Sequence, residues 1–239
     1  MITRAARAGE GIDPRGDVRA TPAYSVAEAA RYVKLAPATL RSWVVGRSYP
    51  RRSGPGFFQP LIDAADPDRR LLSFWNLVEA YVLKALRTEH GVPIRAVRTA
   101  IDTAEQELGT TRLLLRPDLR TEAGDLLVAK YGELVNLSRS GQLAMKKVLE
   151  SHLKRVEWDR DQFPIRLYPP VWHEAGAGHG PIAIDPEVAF GRPMVTAAGV
   201  TTAAIADRVD AGETVSEIAG DYGLDPTVVE EAVVYERAA

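Results

Sequence analysis

Tyr24-Ser-Val-Ala-Glu-Ala-Ala-Arg-Tyr-Val33, followed shortly by Thr39-Leu-Arg-Ser-Trp43, decides the fold. Ser25 can cap a helix, and Glu28 three residues on completes a capping box, in which each side chain satisfies a backbone N–H of the other residue. Val26, Ala29, Ala30 and Val33 then share one helical face. Leu35 and Ala36 make a turn. Pro37 suits a first helical position, where its missing N–H is not needed. Leu40, Trp43 and Val44 give a second apolar stripe. Two amphipathic helices joined this closely predict a helix–turn–helix.

Outward from this pair, residues 46–68 are dense in Gly, Pro, Arg and Ser and predict a loop or wing, with short strands at 57–59 and 70–73. Ser73 caps a helix over 74–87. Gly91-Val92-Pro93 breaks it, and a second helix runs over 94–108. In the middle, short apolar runs at 126–130 and 133–136 flank Tyr131-Gly132 and predict a β-hairpin. Residues 142–156 read as a helix and 165–168 as one more strand. A Gly-rich linker spans 174–181. In the tail, Thr201 or Thr202 starts a helix that stops at Gly212. Thr214 with Glu217 caps a second, Gly223 ends it, and Asp225-Pro226 opens a third. The expected architecture is mainly α with small β elements, an α+β class. Its parts are a basic arm (1–20), a winged helix–turn–helix (21–110), a middle hairpin and helix segment (111–173), the linker (174–181) and a three-helix module (182–239). The arm is expected to be flexible.

The two ends differ in charge. Residues 1–60 hold ten Lys/Arg against four acids, a balance of +6, and residues 182–239 hold three Arg against eleven acids, a balance of −8. Polyphosphate attracts the first and repels the second. The front is therefore expected to meet DNA and the back to meet protein.

Tyr24 to Trp43, with the wing and two further helices, resembles the winged helix–turn–helix of MerR-type regulators over roughly residues 24–108. The resemblance implies that the second helix enters the major groove while the wing grips backbone phosphate. Thr39, Arg41, Ser42 and Arg47 then belong to the recognition region, and Arg51 and Arg52 to the wing. Arg41 matches the place of a phosphate-contacting Arg in that family. The wing sequence, Arg51-Arg-Ser-Gly-Pro-Gly-Phe-Phe58, departs from the usual Gly-Tyr-Arg tip.

Ile184-Asp-Pro-Glu-Val-Ala-Phe-Gly-Arg-Pro-Met-Val195, Thr202-Ala-Ala-Ile-Ala-Asp-Arg-Val209 and Gly212 to Leu224 resemble a small uncharacterised-domain family associated with VapB-like antitoxins. Ala198-Gly199-Val200 stands where that family usually has Gly-Thr-Arg. The resemblance implies a toxin partner with a PIN-type ribonuclease fold, which holds metal with carboxylates and RNA with a basic groove. The acidic face of Asp225, Glu230, Glu231 and Glu236 can cover such a groove. One of Arg192, Arg208 or Arg237 can reach the toxin's carboxylates as a guanidinium fork.

Other classes find no support in the residues. With no Cys there is no disulfide framework and no thiolate site. His173 and His179 lack the spacing of a helical zinc site, and no nucleophile elbow or phosphate loop is present. No cofactor, metal or catalytic activity is expected. No apolar run spans a bilayer and the Arg-rich N-terminus lacks a signal-peptide core, so a cytoplasmic protein without membrane contact is expected. The expected function is that of an antitoxin which binds a PIN-domain ribonuclease and represses its own operon as a homodimer on double-stranded operator DNA. Residues 142–156, or the middle segment as a whole, are the expected dimerisation element. The alternative is a free-standing MerR-like regulator with a small-molecule-sensing middle segment.

Overall fold

The computed structural model describes residues 16–50, 54–88, 94–116, 119, 122–135, 138–170 and 179–238. Asp17 caps a 3-10 turn over Val18–Ala20, its carboxylate accepting the Arg19 N–H at 2.8 Å. The end of the arm expected to be flexible is thus fixed. The Arg19 guanidinium lies over Trp75 and pairs with Asp17 and Asp159.

β1 (Tyr24–Ser25) pairs antiparallel with β4 (Leu71–Leu72), so the strand expected at 70–73 closes the base of the helix–turn–helix. α1 (Val26–Tyr32) begins with the Ser25/Glu28 capping box. Lys34 turns the chain with φ 56°, and α2 (Pro37–Val45) follows with Pro37 in its first turn. Ala29, Ala30, Val33, Leu40 and Trp43 meet in the core, as their spacing predicts. The wing is a hairpin of β2 (Arg47–Tyr49) and β3 (Gly56–Phe58). Gly46 enters it with φ 79°. A Cβ there would lie 2.4 Å from the Phe58 carbonyl oxygen, so only glycine fits.

α3 (Phe74–Thr88) is the central helix, with Trp75, Leu77, Val78, Tyr81, Val82 and Leu83 all buried. Such all-round burial marks a core helix rather than a surface one. α4 (Ile94–Leu108), α5 (Glu122–Val135) and α6 (Arg139–Leu153) follow. α4 packs along α5, and α6 packs against both α5 and α3. The hairpin expected around Tyr131-Gly132 is therefore a helix instead. Ala123, Leu127 and Tyr131 recur every fourth residue and are buried together, and this period outweighs the local turn signal. Gly132 serves close packing: a Cβ there would meet the Gln142 side chain of α6 at 2.6 Å. The hairpin of the middle segment lies further on, β5 (Val156–Trp158) against β6 (Pro164–Leu167).

In the tail, β7 (Ile182–Ala183), β8 (Met194–Val195) and β9 (Val200–Thr201) form a small antiparallel sheet that the sequence reading did not anticipate. α7 (Thr202–Asp210), α8 (Val215–Tyr222) and α9 (Pro226–Arg237) start at the caps expected of them: Thr201, the Thr214/Glu217 box and Asp225. Gly223 ends α8 in the left-handed conformation. Ile205, Ile218, Val229, Ala232 and Val233 enclose a small core of their own. The backbone joins this module to the middle segment: Leu167 and Ile184 exchange N–H···O bonds of 3.0 and 2.8 Å. The architecture is the mixed, mostly helical one expected, with small separate β elements. Among the described residues no helix is long and apolar enough to cross a membrane.

Asn76 fastens the segment between wing and α3. Its Oδ1 accepts the N–H groups of Ala65 (3.0 Å) and Ser73 (3.1 Å), and its Nδ2 donates to the Asp63 carbonyl and to Glu79 Oε2, both at 2.9 Å. Asn76 is only 1% exposed, so its partners lose their replacement as well as their bond when it is removed. Asn76→Ala is expected to cost about 1–3 kcal/mol, the range for stranding buried polar groups. Urea unfolding of wild type and variant reads this as a fall in the midpoint at constant slope.

Candidate functional site

α2 and the wing present one exposed face. Arg41 projects from α2 and Arg47 from the first residue of β2, both exposed. Thr39 and Ser42 are half-buried between them, with Ser42 Oγ donating to the Thr39 carbonyl at 2.8 Å. Arg87, at the end of α3, donates from Nη1 to Thr39 Oγ1 at 3.1 Å and lies 5.9 Å over the Trp43 ring. Thr39, Ser42, Arg47 and Arg87 line a groove of about 250 Å³ between α2, the wing and the start of α4. Arg95 stacks on Tyr49 at 4.5 Å and Arg98 on Phe58 at 5.0 Å, which fixes the wing against α4. The groove thus gathers guanidinium groups and hydroxyls on a rigid frame, the chemistry that backbone phosphate takes up. Three of the six residues expected at a nucleic-acid face (Thr39, Ser42 and Arg47) come together here, and Arg41 is exposed on the same helix but does not line the groove. Arg51 and Arg52 lie outside the described residues. Arg87 is the addition, and a single Arg near a helix end carries no sequence signal for it.

The second set of expected residues does not form one face. Arg208 is engaged inside the module. Its Nε donates to both Glu213 oxygens at 2.9 Å, its Nη2 reaches Asp221 at 2.5 Å, and the guanidinium lies over Tyr222. Those carboxylates hold its pKa above the ordinary arginine range. Arg237 pairs with Asp210 at 2.5 Å. The Asp225 carboxylate caps α9, accepting Thr227 N–H at 2.9 Å and its hydroxyl at 2.6 Å, bonds that lower its pKa. Glu230 is exposed on α9, Glu231 is half-buried and Arg192 is exposed; the bonds from Ser25 hold the Glu28 carboxyl of α1 below its ordinary pKa, and Arg31 and Arg192 add a smaller pull in the same direction.

Glu236, expected on the outer acidic face, turns inward. Its carboxylate accepts from Arg31 Nη1 at 2.9 Å and from the Thr202 hydroxyl. Beside it Tyr235, 2% exposed, donates its hydroxyl to the Tyr32 carbonyl at 2.9 Å. Lys34 Nζ donates to the Tyr235 carbonyl and sits 3.8 Å over that ring. Helix C-termini leave carbonyls without helical partners and carry negative partial charge. Here the ends of α1 and α9 meet these needs for each other: the Tyr235 hydroxyl serves the last carbonyl of α1, and the Lys34 ammonium serves a carbonyl in the last turn of α9. Arg31 and Lys34 thus contact the acidic module.

Burial lowers the Lys34 pKa to about 8 from 10.5, despite the opposing pull of Glu236 and with a further push down from Arg31 and Lys84. Between these values the unfolded chain binds more protons than the folded one, so stability rises with pH across that window. Below about pH 8 both states are protonated, and the full penalty of burying the charge applies. Lys34→Met is expected to remove its share of this rise and leave that of Lys84, whose pKa burial also lowers. Urea midpoints of wild type and variant from pH 8 to pH 10, below the raised pKa of Tyr24, check it through the difference in slope.

Fold and surface together define a winged helix–turn–helix protein with a helical module bound to its first helix. Residues 22–101 match the family described as "Putative DNA-binding HTH domain", and residues 182–235 match "Protein of unknown function (DUF433)". The chain is 29% identical to "Putative antitoxin VapB45" of Mycobacterium tuberculosis, over 89% of this chain and 92% of that protein. It is 26% identical to "Uncharacterized protein Rv2308" of the same organism, over 90% of each. The crystal structure of Rv2018 from Mycobacterium tuberculosis has the same fold, with a TM-score of 0.65 at 23% identity over 90% of this chain and 98% of that one. The chain is thus similar to a putative VapB antitoxin over most of its length, and its helix–turn–helix lies within the match to the putative DNA-binding domain. Among the described residues no three His, Asp or Glu gather to hold a metal ion.

Proposed function

We propose that the chain is a DNA-binding antitoxin. In this reading the winged pair works in the MerR manner, with α2 in the major groove of double-stranded operator DNA and the wing on the backbone. The groove that joins Thr39, Ser42, Arg47 and Arg87 is the observation that carries the DNA half. Similarity to a VapB-type protein along most of both chains supports the antitoxin half. The module from residue 182 onward binds a toxin of the PIN ribonuclease type and, by doing so, keeps RNA from it. Glu230 and Arg192 are exposed and Glu231 is partly so for this contact, whereas Arg208, Arg237 and Asp225 hold the module's own structure. A homodimer sets two recognition helices about one DNA turn apart, ~34 Å, and represses the operon. Leu143, 57% exposed on α6, favours that helix as the dimer contact.

Co-expression with the product of the adjoining gene and co-purification test the antitoxin half, and failure to co-purify overturns it. Fluorescence anisotropy on the DNA upstream of the gene tests the other half. Arg41→Ala, Arg47→Ala and Arg87→Ala are each expected to weaken binding. Each should reduce the slope of log affinity against log salt by about one, the effect of one lost phosphate contact. Partner capture should stay unchanged. Wild-type affinity and salt slope in all three variants would refute the DNA-binding face.

A further inference from the structure

Phe190 is 92% exposed, the most exposed of the large hydrophobic side chains among the described residues. It does not sit on a loose loop. Ala189, Phe190 and Gly191 are consecutive residues with φ of 49°, 54° and 71°, a conformation L side chains rarely adopt. Surrounding bonds enforce it. The Gly191 carbonyl accepts the buried Tyr24 hydroxyl at 3.1 Å, and a Cβ at 191 would lie 2.0 Å from that oxygen. Asp185, 6% exposed, accepts Arg166 Nη2 at 2.7 Å and the Glu187 N–H at 2.9 Å. The Gly191 N–H donates to the Val188 carbonyl at 2.9 Å. Strain held this firmly, ending in a solvent-facing ring, is the preorganisation of a contact residue.

We infer that Phe190 is the anchor by which the C-terminal module seats a protein partner that offers an apolar socket with a basic rim. The inference rests on the reading of that module as protein-binding and names the side chain that does it. The neighbours set the partner's charge. The exposed Glu187 and Val188 precede the ring in the chain, the exposed Arg192 follows it, and the module carries a net −8. Such surroundings repel phosphate and so disfavour a nucleic-acid wedge, while they attract a basic protein surface. Buried aromatic anchors surrounded by weaker contacts dominate interface energies.

Phe190→Gly tests this in the full-length chain against the purified product of the adjoining gene. Glycine accepts φ 54°, so the melting temperature is expected at or above wild type. Affinity for the partner is expected to fall at least ~30-fold, a typical hot-spot loss. Phe190→Leu, which keeps an apolar anchor, should retain part of the affinity and serves if the glycine variant folds poorly. Equal partner affinity in wild type and both variants overturns the anchor and leaves the antitoxin reading standing. No capture even by wild type overturns both. A change confined to oligomeric state on sedimentation, or to DNA affinity, assigns the ring to a second copy or to nucleic acid and also overturns the inference.

Discussion

The joint between the last turns of α1 and α9 is the constraint on which the rest of the molecule depends. Each helix ends in carbonyls without helical partners, and each supplies the other's donor. The Tyr32 carbonyl takes the Tyr235 hydroxyl, and the neighbouring Val33 carbonyl takes Lys84 Nζ from α3 at 3.0 Å. The C-terminus of the first helix of the pair is therefore bound by both the central and the last helix. Arg31 with Glu236 adds an ion pair whose acid is 9% exposed and also holds the Thr202 hydroxyl at the start of α7. Removing one member would leave other buried groups unpaired, which costs more than the bond itself is worth.

This joint changes how the charge asymmetry works. A +6 front and a −8 back suggest two modules that face different partners independently. In the folded chain some of that opposite charge is spent internally. Arg31 and Lys34 contact the end of α9, Arg19 is held by Asp17 and Asp159, and Arg208 and Arg237 are held by acids of their own module. Positive charge remains at the wing, where Arg47 and Arg87 line the groove and Arg41 is exposed on α2, and such charge attracts phosphate. Net charge by segment thus describes each end as a whole, whereas Arg31, Lys34, Arg208 and Arg237 are engaged within the fold.

What could be read from the sequence was what is decided locally. Both capping boxes, Pro37 and Pro226 in first turns and Gly223 at a helix end depend on residues within four positions, and all stand as the sequence implies. The helix–turn–helix core was legible for the same reason, since Ala29, Ala30, Leu40 and Trp43 declare their faces by spacing. The misreading of α5 shows the limit. Tyr131-Gly132 between short apolar runs has the local signature of a turn, and only packing against α4 and α6 makes the same residues a helix. Arg87 reaches Thr39 across 48 positions and Tyr235 reaches Tyr32 across 203. Contacts of that range leave no period or motif in a single chain.

The same long-range contacts determine which dissections of the molecule are informative. A cut before residue 182 looks like a cut in a linker when only sequence is considered. In the folded chain it removes Ile184 from its pairing with Leu167, the Gly191 carbonyl from Tyr24, and the Tyr235 hydroxyl from Tyr32. Each loss strands a group in the helix–turn–helix or the middle segment, so a truncated chain would change the shape of α1 as well as lack a module. Single substitutions at exposed positions avoid this. Arg41, Arg47 and Phe190 contribute to surface and not to core, and their replacement separates what the protein contacts from what holds it together.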